Sequence, residues 1–236
     1  MKSTTRFDIY THVHKAIRVL LFDTVATVGR TDFGREPELP ATLAAVRRAL
    51  RLTRLHAEHE DRDIHPLLHR FAPEVAADLE AAHDRFDGIE REIEGCLARM
   101  EGAMPAARVS LGRRVHESLG GLVADHLEHM ALEESRANRV LWANLTDAEL
   151  LDVQGRVMAA IGPEEMAEWV ELLIPAGNLG ERAGLVAALQ AVMPPEAFDA
   201  LTAPGRARLG EAGWSETLAA AEALAAAQAV PEGAAS

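Results

Sequence analysis

Apolar positions near the start of the chain recur in steps of three and four. Tyr10, His14, Ile17, Leu21, Thr24 and Val28 share one stripe, which predicts a helix that stops at Gly29. Gly34, Pro37 and Pro40 then predict a loop. A second helix is expected from about Ala41 to Arg70, with Leu43, Val46, Leu50, Ile64 and Leu67 inward, and Pro73 marks the next boundary. A third is expected from about Val75 to Met100, and a fourth from about Ala107 to Trp142, with a kink or local fraying at Gly120–Gly121. These four are long and their connections short, as an antiparallel up-down four-helix bundle requires. After Asn144 the texture changes. Thr146-Asp147-Ala148-Glu149 reads as a helix cap, and shorter segments follow between Pro163, Pro175, Pro194–Pro195 and Pro204. The expected organisation is a bundle over residues 1–144 and a helical extension over residues 145–236, with an Ala-rich, fraying end from Leu218 to Ser236. No strand pattern of useful length occurs, so the expected fold class is all-α.

Composition agrees with that pattern. Of 236 residues, 48% are hydrophobic and only 4% aromatic, and the apolar share is mostly Ala, Leu and Val, which favours helices over sheets. The length suits one large domain, or a domain with an appendage. A formal charge of −13 argues against a nucleic-acid partner and an anionic membrane surface. The single cysteine, Cys96, excludes an intrachain disulfide and any multi-cysteine metal site. No apolar run approaches the roughly 20 residues that span a bilayer, and the first residues lack the apolar core of a signal peptide. A cytoplasmic protein is the expectation.

The ten histidines all fall within the first 129 residues, so they belong to the bundle rather than to general composition. His56 with Glu60, and His129 with Glu133, are each four apart, so each pair shares one helix face and offers an imidazole nitrogen and a carboxylate to a common point. His14 lies on the inward stripe of the first helix and His83 on the third, at similar distances before the two pairs. Together these six residues supply four imidazoles and two carboxylates, a mixture that suits iron, manganese or zinc, and two carboxylates can bridge two cations. A buried glutamate is costly, and a metal removes that cost. Asp61 and Glu134 are each rotated by about 100° from the neighbouring glutamate, which places them on the exposed flank.

At these residues the chain resembles the hemerythrin-like (HHE cation-binding) proteins, which hold a non-haem di-iron site within a four-helix bundle. The resemblance covers roughly Phe7 to Trp142, and is strongest at His14-Lys15-Ala16-Ile17-Arg18, at His56-x3-Glu60-Asp61 running into Ile64-His65-Pro66-Leu67-Leu68, at His83, and at His129-x3-Glu133-Glu134. Residues 146–200 look like the helical extension of longer bacterial members. The resemblance implies two iron ions, with His14, His56, His83 and His129 as terminal ligands and Glu60 and Glu133 as bridges. It also implies a small partner such as O2, peroxide or nitric oxide. Two departures bear on which one. Oxygen carriers of this type have a second histidine four residues after the third-helix one, where this chain has Asp87. They also place an aspartate five residues after the fourth-helix histidine, where this chain has Glu133 at four. A more open site follows, suited to reacting with or sensing small oxidants, with oxidase- or peroxidase-like activity as one form of it, rather than to oxygen delivery.

His126 shares a face with His129 and Glu133, as an outer partner or alternative ligand, and His59, His65 and His69 are expected on the polar face or behind the ligands. His12 and His116 are not expected to ligate, and Tyr10 is placed to line the site or to pack. The alternatives are a metal-free helical interaction module and a ferritin-like iron protein. The latter needs two Glu-x-x-His helices, and only Glu80-x-x-His83 fits. No His-Glu-x-x-His motif of a zinc hydrolase occurs.

Overall fold

The computed structural model describes residues 6–229, which form helices and connecting turns without a strand. Helix α1 spans Thr11–Arg30, α2 Leu39–Asp63, α3 His65–Phe71, α4 Pro73–Met100 and α5 Pro105–Leu132. A wide π turn, Glu133–Ala137, joins α5 to α6, Asn138–Asn144. Five more helices follow: α7 Asp147–Ala160, α8 Pro163–Ala176, α9 Leu179–Val192, α10 Pro195–Leu209 and α11 Glu211–Ala229. The last residues of the Ala-rich end, 230–236, lie outside the described residues, and before them α11 runs unbroken to Ala229.

The chain divides into two compact units. One comprises residues 6–11 and Leu20–Ala160, the other His12–Val19 and residues 161–229. In the first, α2, α4, α5 and the later half of α1 are the long helices of the expected antiparallel bundle. Val28, Val46, Leu50, Phe86, Ile93, Leu97, Leu119 and Leu122 interlock at its centre. Each such side chain contributes about 1.5–3 kcal/mol by leaving water. A second cluster, with Tyr10, Ile64, Leu68, Leu79 and Leu141, extends this core, and α7 closes it with Leu150 and Val153.

Two local features differ from the periodicity. The helix expected from Ala41 to Arg70 is broken at Ile64, because Pro66 lacks a backbone N–H and its ring opposes a carbonyl one turn back, so α3 restarts with the proline in its first turn. Gly120–Gly121 leave α5 continuous, with open space where their Cβ atoms would be. At Gly112, by contrast, a Cβ would lie 2.3 Å from the Phe33 ring, so glycine is what lets that ring seat against α5.

The second unit has its own core, in which Val170, Ile174, Val186, Phe198 and Trp214 pack together. Asn178 and Glu181 form a reciprocal cap at the start of α9, and Glu181 also takes the Lys15 ammonium at 2.5 Å. Gly177 leaves room for the His12 ring, whose Nε2 would otherwise meet a Cβ at 3.2 Å.

Candidate metal centre

Three helices of the bundle converge on a group of imidazoles and carboxylates. On α2, His56 Nε2 is 3.1 Å from Glu60 Oε1, and at the end of α5 His129 Nε2 is 3.3 Å from Glu133 Oε2. The four-residue spacing of each pair produces this directly. From α4, His83 brings its Nε2 to 3.1 Å from His129 Nε2 and 3.8 Å from Glu60 Oε2. Ligand atoms of Glu60, His83 and His129 all lie within 4.8 Å of one another. Glu133 opens the π turn, a widening of the helix that recurs at functional sites, and Asn138 at its far end donates to Asp8 at 3.0 Å. Asp8 in turn accepts the backbone N–H groups of Tyr10 and Thr11, which ties the start of α1 to the helix that carries Glu133.

Tyr10 registers the charge of the two pairs. It is fully buried, and its phenol is raised well above the ordinary range by burial and then by the Glu133 and Glu60 carboxylates, so it stays protonated. His14, one turn further along α1, is also fully buried.

The site has an outer support that sequence reasoning placed on the exposed flank. Asp61 is half exposed, yet its Oδ1 lies 2.9 Å from Nδ1 of both His65 and His83. Although burial works against its charge, the His65 and His83 imidazoles beside it hold the Asp61 carboxyl well below its usual range. Burial alone would lower His83; the Asp61 hydrogen bond and the Glu60 charge reverse that and raise it. With Nδ1 committed to Asp61, Nε2 is the nitrogen left to ligate a metal in place of its proton. His65 is almost fully buried and stacks on His83 at 5.2 Å between ring centres. A signal for this pair was present in the sequence: Asp61 and His65 are also four apart.

The other histidines separate cleanly. His126 is buried against Phe86, ring centres 4.0 Å apart, and is pushed down to about 3 by burial and by the neighbouring His129, so it is neutral. His59 is buried, whereas His69 is exposed and pairs with Glu80 at 2.6 Å. Glu80 is thereby engaged at the surface, away from the role a ferritin-like site would give it. Glu90, which no local pattern singled out, is buried and held by Arg54 at 2.7 Å and Thr53 at 3.2 Å.

The donor set fits a cation. Side-chain exposure is 3% for Glu60 and 0% for Glu133, and two carboxylates this deep cost several kcal/mol each unless positive charge faces them. A divalent metal held by these groups would supply such charge. Histidines and carboxylates drawn from facing helices of a bundle define a metal-binding class of helical protein. A family model, the hemerythrin HHE cation-binding domain, matches residues 5–141. The chain belongs to that family. No curated protein and no solved structure matches it.

Proposed function

We propose that the protein is a non-haem dinuclear iron protein that reacts with or senses O2 or a related oxidant such as peroxide or nitric oxide. His14, His56, His83 and His129 are its terminal ligands and Glu60 and Glu133 its bridges. The observation that carries this reading is the convergence of Glu60, His83 and His129 from α2, α4 and α5. The buried pairing of His56 with Glu60 and of His129 with Glu133, and the full burial of His14, support it. Two irons held by these residues would supply the electrons for reducing a small oxidant.

The chain's own residues do the rest. Asp61 holds Nδ1 of His83 and so keeps the ring oriented with Nε2 beside His129 and Glu60. Tyr10, a phenol that keeps its proton beside both bridging carboxylates, is a hydrogen-bond donor facing the site. Leu79 and Leu68 belong to the apolar cluster around it and exclude water. Asp87 stands where a carrier has its second third-helix imidazole, and it is exposed on α4. One imidazole fewer leaves an open, oxygen-rich site, which favours the higher oxidation state and disfavours reversible carriage. In this reading residues 1–144 carry the centre, and the extension over residues 145–236 carries no ligand.

Mixing the reduced, iron-loaded protein with oxygen in a stopped-flow spectrometer tests the proposal. Oxygen should be consumed and the centre should end oxidised. Release of the oxygen under vacuum over repeated cycles would restore the carrier reading.

A further inference from the structure

Beside the candidate centre, α2, α4 and α5 enclose a cavity of about 180 Å³. Its inner wall includes His83 and His126, and its outer wall includes Glu58, Asp61, Asp84 and Asp87. The one cationic group in the wall, Arg54, is bound by the buried Glu90, so that pair brings no net charge. The remaining carboxylates leave the cavity negative, and a cleft lined by one sign of charge concentrates ions of the other sign. A second observation points to what such an ion meets inside. His126 is only 6% exposed, and its Nε2 has no hydrogen-bond partner. A buried imidazole with an uncommitted nitrogen costs free energy in a purely structural role, whereas it serves a passing metal ion as a ligand. Each water occupies about 30 Å³, so the cavity accommodates a cation with part of its hydration shell.

We propose that this cavity is the vestibule through which a divalent cation reaches the dinuclear centre, with Asp84 and Asp87 drawing it in and His126 ligating it in transit. The inference rests on the metal-binding reading above and adds a route to it. Asp87 then has a use of its own: at the position where a second imidazole would complete a carrier's ligand set, this chain has a carboxylate that attracts the ion.

Uptake of cobalt(II) by the metal-free full-length protein, followed by stopped-flow absorption at low ionic strength, is the test. The Asp84→Asn/Asp87→Asn double variant should take up cobalt about tenfold more slowly, within the range that electrostatic focusing supplies. Its salt dependence should be flatter and its final stoichiometry unchanged. His126→Gln should slow uptake several-fold at low and high salt alike. Asp199→Asn, an exposed change on α10, should leave the rate as it is. If both cavity variants load at the wild-type rate, or if Asp199→Asn slows loading as much as they do, the vestibule is overturned while the centre stands. If the wild-type protein takes up no cobalt, both readings fall together.

Discussion

Asp61 Oδ1 lies 2.9 Å from His83 Nδ1, so a half-exposed carboxylate one residue beyond a candidate bridge orients a candidate ligand on another helix. Removing it frees the His83 ring to rotate and to change tautomer. Outer partners of this kind are worth 10–100-fold in metal affinity. Asp61→Ala should therefore weaken metal binding by about that factor while the fold is retained. Competition against a chelator measures it, and an affinity equal to wild type would make Asp61 an ordinary surface residue.

Glu60→Ala and Glu133→Ala should act more severely, because each leaves adjacent cations without a shared anion. Metal should be lost while most of the helical circular dichroism remains. Glu134→Ala should be mild. If it matches Glu133→Ala, the wrong face of that helix has been assigned.

Most of this arrangement was legible in the sequence because helical geometry is local. The spacing of His56 and Glu60, or of His129 and Glu133, fixes a shared face without reference to anything distant, and the structure pairs both. The break at Ile64 was signalled by Pro66 but is masked by the apolar run Leu67–Leu68, which continues the stripe. The π turn at Glu133–Ala137 has no proline or glycine to announce it. Rotation by one residue from Glu60 puts Asp61 on the solvent side, and it does lie there. What periodicity on one helix does not contain is that α4 brings His83 across to meet it. Glu90 escaped for the same reason, since its partners Thr53 and Arg54 sit on α2.

Acid should destabilise the metal-free protein through His126. Burial and the neighbouring histidines depress it to about 3 in the folded chain, below the 6.5 of a free imidazole, so between these values the unfolded chain binds a proton that the folded chain does not. Stability therefore falls as pH drops from about 6.5 toward 3. Thermal unfolding of the apoprotein across this window should show a decline that His126→Gln partly flattens. Identical pH slopes for the two proteins would count against a buried, neutral His126.

Gly112→Ala tests the packing of the bundle away from the metal. The added Cβ meets the Phe33 ring 2.3 Å away, and the ring must shift. Overpacking of this sort costs about 1–3 kcal/mol. A drop of several degrees in the melting temperature is expected. Gly120→Ala, where a Cβ meets open space, should be neutral or slightly stabilising.

The central claim is a dinuclear centre, and metal stoichiometry tests it most directly. Apoprotein titrated anaerobically with iron(II), then freed of loosely bound metal and analysed for iron against protein, should retain about two irons per chain, as four imidazoles and two carboxylates can hold. Retention of one iron would contradict the bridged pair, and retention of none would contradict the metal centre itself.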